Sequence, residues 1–381
     1  FYVLETLKEK TNVKIITEWA DVSAKYDVVI NMGAFDSLKS PADDFKKLTA
    51  VLDKRGTLVM DSRLTPIMSD LVYPSDWLPR KMDAYFNKNY VTLGVGRYVK
   101  TDLKVLMLYN YSTGTTGDYI ERAFRKVAHV IRPQIPHTGE GLKTLIKQNK
   151  IDLLFAVDSG GWVRLPKNLG CVTACYSIDT FNKTEKALEA IKDYDFKFFA
   201  QKRFVKNKNE YWLPLAVDPE TYKPINTMTA HDVCFCGTFI VRASQAERNA
   251  CLKVLANEGY KGGINFYLGR DYNEGANAKY NQARIVFNMG ICNDINMRFF
   301  EAMATGTPGM YNAVDGLSDL GFVAGEHYIP FDDKNNVLKQ VYKTLNDPAM
   351  LKKISETAYV NVLDKHTYNH RIKEVLQILK K

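Results

Sequence analysis

The chain has 381 residues, 46% of them hydrophobic and 25% charged, which suits two or three domains and excludes both a single small module and a disordered or collagen-like chain. The net charge is +9; Lys and Arg outnumber Asp and Glu by 5 over residues 101–224 and by only 2 in each flanking segment. A basic middle attracts polyanions, so nucleotides, nucleic acid and anionic polymers all stand as possible partners.

No apolar run reaches the ~18–20 residues that span a bilayer, which excludes a helical membrane span. The six cysteines include no CxxC pair and no Cys/His cluster at metal-ligand spacing. Free thiols in a reducing, cytoplasmic setting are expected, and no secretory signal pattern opens the chain.

Tyr26–Met32 and Gly56–Met60 read as strands around a helical pattern through Phe45, Leu48 and Val51–Leu52, a β–α–β unit of a parallel sheet. Leu64–Val99, with Pro66, Pro74 and Pro79, reads as loops. Alternation then resumes. The pattern predicts a strand at Leu103–Tyr109, a Gly-bearing loop at Asn110–Asp118, and helices at Tyr119–Val130, Leu142–Gln148 and Glu185–Lys192. Further strands are expected at Ile151–Val157, Cys171–Tyr176 and Phe196–Ala200. Tyr211–Pro224 carries three prolines and reads as a connector.

Beyond it come strands at Asp232–Cys236, Ile264–Leu268, Ile285–Asn288 and Gly309–Asn312. Helices are expected at Ala243–Glu258, Asn296–Ala304, Asn335–Asn346, Ala349–Asp364 and Tyr368–Leu379. The fold class is therefore α/β: two Rossmann-like domains after an incomplete N-terminal α/β segment. Ligands of such sheets sit beyond the carboxyl ends of the strands.

The most informative stretch is Asn288–Pro308, NMGICNDINMRFFEAMATGTP. A strand ends at Asn288, a polar loop follows, and a helix starts with Asn or Asp in capping position, an arrangement suited to a diphosphate. Glu301 lies about one turn inside, where a carboxylate can accept two hydrogen bonds from a ribose diol. Gly306-Thr307-Pro308 stops the helix. The same features also describe a well-capped helix with no ligand.

FFEAMATGTP resembles the donor-site segment of retaining glycosyltransferases of the GT-B fold, and the longer pattern resembles their CgeB-like (spore maturation protein) branch. The resemblance covers residues 101–381. It runs through Asp232–Gly237 before Arg242 and Arg248, Tyr280–Asn288 (YNQARIVFN), Asn293–Pro308, and the closing His366–Arg371 (HTYNHR), with Trp212–Pro224 similar to the interdomain element. It implies residues 101–224 as acceptor domain, 225–365 as donor domain, and 366–381 as a helix crossing back to the first. The implied donor is a nucleotide-diphosphate sugar, foremost a UDP-sugar, used without a metal and with retention. The acceptor is open among protein, polysaccharide and modified DNA. The alternative is a non-catalytic GT-B scaffold that binds glycan or nucleic acid.

Carried over residue by residue, the resemblance gives Glu301 the ribose and lays Asn293, Asp294 and Asn296 against the diphosphate. Gly237 and Thr238 would admit backbone to the same phosphates, and Arg242 and Arg298 would neutralise the leaving group. Arg298 has a second reading, a pair with Glu301 three residues on. Many retaining relatives carry a Glu where Asn293 stands, and Asp294 is the nearest substitute. On the acceptor side, Asp179 is a catalytic or orienting candidate, or a plain turn aspartate. Asp158 and Trp162 follow a strand, and Trp162 would stack on a sugar or base, or simply pack. Asp193-Tyr194-Asp195 matches a three-residue metal pattern, and the run Lys197–Lys208 reads as a solvated edge or as a seat for a phosphate-rich acceptor.

Tyr26–Met60 resembles the second half of a class I S-adenosylmethionine-dependent methyltransferase. The Gly-rich cofactor loop of that family has no counterpart upstream, so a fragment or scaffold is expected here rather than a working methyltransferase.

Overall fold

The computed structural model describes residues 102–133, 139–157, 165–238 and 242–380, together with the backbone of four earlier strands. Two units emerge, Phe1–Leu103 with Arg125–His129, and Lys104–Phe124 with Val130–Lys381.

In the first unit, β1 (Tyr26–Asn31) pairs in parallel with β2 (Leu52–Met60), as the β–α–β reading expects. The intervening helical pattern lies outside the described residues, apart from Leu52, which opens β2 rather than closing a helix. The stretch read as loops contains β3 (Tyr90–Thr92) and β4 (Arg97–Lys100), an antiparallel pair that extends the sheet in the order β1-β2-β4-β3. Prolines are confined to its first half; Tyr90-Val91-Thr92 and Tyr98-Val99 are strong strand formers.

The second unit holds two parallel sheets. The first lobe contains β5 (Lys104–Leu108), α1 (Thr116–Arg125), β6 (His129–Ile131), α2 (Glu140–Asn149) and β7 (Leu153–Val157). It continues with β8 (Val172–Ser177), α3 (Glu185–Ile191), β9 (Phe196–Phe199) and β10 (Glu210–Trp212). Sheet order is β10-β9-β8-β7-β5-β6, with β5, β7, β8, β9 and β10 parallel. Val105, Leu106, Leu154 and Phe155 are fully buried, as a sheet covered on both faces requires. Two sequence readings change here. The helix expected to run to Val130 ends at Arg125, because its buried stripe of Tyr119, Ile120, Ala123 and Phe124 stops there and the β-branched Val130-Ile131 follows. The connector begins later than Tyr211, since β10 pairs with β9.

The second lobe comprises β11 (His231–Cys236), α4 (Ala246–Val254), β12 (Phe266–Gly269), α5 (Asn273–Asn281), β13 (Ala283–Phe287) and α6 (Met297–Ala304). Then come β14 (Gly309–Asn312), β15 (Ile329–Phe331), α7 (Val337–Leu345), α8 (Pro348–Lys365) and α9 (Tyr368–Ile378). All five strands are parallel, in the order β12-β11-β13-β14-β15. The chain thus leaves β11 toward β12 on one side and continues from β13 on the other. That reversal opens a crevice at the carboxyl ends of β11 and β13. Val233, Phe235, Leu252, Ile285, Phe287 and Met310 form the core beneath it.

Helix α5 and strand β15 were not expected from the sequence. The asparagine-rich α5 sequence has poor intrinsic helicity, and its asparagines serve the connector instead. Asn277 Oδ1 accepts from Lys223 N at 3.0 Å, and Asn281 Oδ1 from Ile225 N at 2.9 Å. β15 is only three residues long. The six cysteines are free thiols, as expected. Among the described residues no helix is long and apolar enough to cross a membrane.

Candidate active site at the crevice between β11 and β13

Each side of the crevice supplies one loop. From β11 come Gly237 and Thr238; a Cβ on Gly237 would stand 2.8 Å from the Phe235 ring and 2.9 Å from Arg298 Nη1, so only glycine leaves room there. From β13 comes the turn 288–296, in which Cys292 and Asn293 both adopt left-handed φ angles of 52° and 54°. Asn296 occupies the N-cap position of α6, but its side chain does not cap. Its amide instead pairs with Asn288, at 2.8 Å and 3.3 Å. The first N–H groups of α6 are thus left uncovered by a side-chain cap at the positive end of the helix.

The electrostatics of this crevice are unusual. Arg298 extends from the first turn of α6 over the Phe235 ring, 5.2 Å from its centroid, and Arg248 of α4 lies over the same ring at 5.6 Å. Arg248 is 3% exposed and donates to Thr238 O at 3.0 Å and to Gln245 Oε1 at 2.7 Å. Its Nε and Arg298 Nη1 are buried without a hydrogen-bond partner. Burial and the Arg298 charge pull Arg248 down to about 10. Among the described residues, neither guanidinium has a carboxylate at ion-pair distance, so the alternative of an Arg298–Glu301 pair in contact is not seen. A buried guanidinium and a half-buried one, each with a buried donor left unpartnered, form a site for an anion.

Glu301 is 5% exposed, one turn inside α6. Burial pushes its carboxyl up to about 7, opposed by the Arg298 charge and by the Tyr222 hydroxyl that donates to it. Asp294 is equally buried, and burial pushes it up to about 6; Gln201 Nε2 of the first lobe donates to its Oδ1 at 2.8 Å. The same Gln201 amide donates to Ile178 O, and the nearby Asp179 charge raises Asp294 further. Asp179 is exposed and precedes a single 3₁₀ turn, so the structure brings Asp179 and Asp294 together across the lobes. Tyr119 OH meets Asn273 Oδ1 at 2.9 Å, and Thr116 Oγ1 meets Met297 Sδ at 3.4 Å.

Other expected residues fall elsewhere. Arg242 is exposed ahead of the 3₁₀ turn Ala243–Gln245, while Arg248 takes the buried position. Asp158 and Trp162 lie outside the described residues. Asp195 is engaged by Thr173 N and Oγ1 at 2.9 and 2.7 Å, a structural role at the amino end of β8. No group of three or more His, Cys, Asp or Glu suited to a metal occurs among the described residues. The HTYNHR segment is a cap and a tether: Thr367 and His370 form a capping box, and Arg371 donates to Pro214 O at 2.8 Å and Leu215 O at 3.2 Å. Arg248 and Gln201 were missed as site residues. Arg248 was legible, because it falls on the helical stripe of Cys251, Leu252 and Leu255, and a charge on a core-facing stripe requires a partner.

The family described as glycosyl transferase-like matches residues 236–377, which begin at the end of β11 and close with α9. Among solved structures, the sucrose-phosphate synthase of Thermosynechococcus elongatus is similar at 13% identity with a TM-score of 0.50, over 73% of this chain and 98% of its own. Anabaena HepE in complex with UDP-glucose is similar at 10% identity and TM-score 0.50, over 72% of this chain and 99% of its own. At these identities the likeness is one of fold, and the fold is GT-B. Comparison with curated protein sequences gave no match.

Proposed function

We propose that the protein is a glycosyltransferase of CgeB-like type, which moves a sugar from a nucleotide-diphosphate donor, foremost a UDP-sugar, to an acceptor held against residues 101–224. The observation that carries this reading is the pair Arg248, buried, and Arg298, half-buried, at the β11/β13 crevice, each with a buried unused donor and no carboxylate in contact. The glycosyl transferase-like match and the UDP-glucose held by the similar HepE structure support it. In the reaction the bond between the sugar's anomeric carbon and the diphosphate oxygen breaks. The electron pair leaves with the diphosphate, and the acceptor bonds to that carbon and gives up a proton. Arg248, Arg298 and the start of α6 stabilise the departing charge, the work a metal does in other transferases. Glu301 receives the ribose, and Gly237, Thr238, Asn293, Asp294 and Asn296 line the phosphates. Asp179 faces the acceptor, with Asp294 across from it, and Asp158 and Trp162 are assigned to the same side. We assign a metal-independent, retaining reaction in a cytoplasmic setting.

The test is a thermal-shift screen with UDP, GDP, ADP and TDP and their sugar conjugates, followed by donor hydrolysis with and without EDTA. One nucleotide should raise the melting temperature, and Glu301→Ala should abolish the rise. Absence of a shift with every nucleotide overturns the reading. Binding without hydrolysis or transfer would favour the non-catalytic scaffold, which the carboxamide at Asn293 makes worth testing.

A further inference from the structure

After β14, a second loop is fastened to the turn 288–296. Gly290 N donates to Asn312 Oδ1 at 2.8 Å, and Asn293 pairs with Asp315 in both directions. The Asn293 amide nitrogen donates to Asp315 Oδ2, and Asp315 N donates to Asn293 Oδ1 at 2.8 Å. The left-handed φ of Asn293 is the backbone setting of this pairing. The loop is held from outside as well. Gly316, at φ 92°, is so close to the Trp212 indole that a Cβ would lie 3.0 Å from it, and Lys202 Nζ pairs with Asp319 at 2.8 Å.

We infer that Asp315 is a donor-sugar contact, its free carboxylate oxygen accepting hydrogen bonds from sugar hydroxyls; this rests on the nucleotide-sugar reading above. Asp315 is exposed, and among the described residues its Oδ1 has no partner. A carboxylate on this loop repels a diphosphate, so its partner beside the phosphate turn is the neutral, hydroxyl-rich part of the donor. Only an amide or another donor at 293 can hold that carboxylate; a Glu there would repel it. The carboxamide at 293 thus carries the orienting role, and the negative charge is supplied by the neighbouring loop.

Calorimetry with UDP and with UDP-glucose, UDP-galactose and UDP-N-acetylglucosamine tests this on wild type and Asp315→Asn. The substitution keeps an oxygen for the Asn293 donor and turns an NH₂ toward the site. A charge-assisted bond lost at the sugar predicts about 10- to 100-fold weaker binding of the UDP-sugar that wild type binds, with UDP affinity and unliganded melting temperature unchanged. Asp315→Glu should recover part of the loss. Equal losses for UDP and UDP-sugar, or no loss for either, overturn the inference. Wild type that binds none of these ligands fails the underlying reading, and the inference falls with it.

Discussion

Arg248 and Arg298 place two guanidinium groups over one phenylalanine ring, 5.6 and 5.2 Å from the centroid of Phe235. Like charges so placed destabilise each other when the crevice is empty. Arg298→Met should therefore leave the unliganded melting temperature unchanged or raise it, while weakening UDP roughly 10- to 100-fold. Unchanged UDP affinity in isothermal titration would remove Arg298 from the anion site.

Glu301 supplies a pH signature. Its carboxyl is raised to about 7 in the fold from an ordinary value of 4.5. Between those two values the folded state holds a proton that the unfolded state has released, so stability falls as pH rises from about 4.5 to about 7 and is flat above. The full cost is on the order of 3 kcal/mol. Glu301→Gln removes it and can still accept from Tyr222. The variant should melt higher than wild type at pH 8, with the gap closing toward pH 5. A gap independent of pH in calorimetric scans would falsify the assignment.

At Gly237 the prediction is steric. Gly237→Val places carbon where the Phe235 ring and Arg298 Nη1 already stand, so Arg298 must move. Weaker UDP binding is expected with only a modest drop in melting temperature, about 1 kcal/mol of stability. Wild-type affinity in this variant would mean that the close approach has no bearing on the ligand.

Gln201 bridges the lobes by donating to Asp294. Its removal in Gln201→Leu takes away an interaction that lowers the Asp294 carboxyl, so that group should titrate higher than about 6. In a pH–rate profile, any acid limb due to Asp294 should move upward. A limb that stays in place, in a variant that still folds, would separate Asp294 from the rate.

The two parallel sheets of the second unit and the helix that carries Glu301 were legible because their signals are local. Continuous apolar strands, the Gly-Thr-Pro stop and the α6 pattern all lie within short windows. What was hidden depends on partners distant in sequence. Helix α5 is built from asparagines whose worth comes from the connector at Lys223 and Ile225. Which of Arg242 and Arg248 turns inward is decided by the stripe of Cys251 and Leu252, on which only Arg248 falls. The Asn293–Asp315 pair spans 22 residues, and no spacing rule links an amide to a carboxylate over that distance.

The connector after β10 and the start of α9 lie side by side. Val217 and Thr367 bridge in parallel, Val217 N donates to His366 O at 3.1 Å, and Tyr368 N donates to Val217 O at 3.0 Å. These main-chain bonds fasten the connector to the start of α9 at one point, with no side chain that a substitution could remove. A swing of the lobes about that point would separate Gln201 from Asp294 and Tyr119 from Asn273, while the contacts of Arg371 with residues 214 and 215, beside it, stay nearly still.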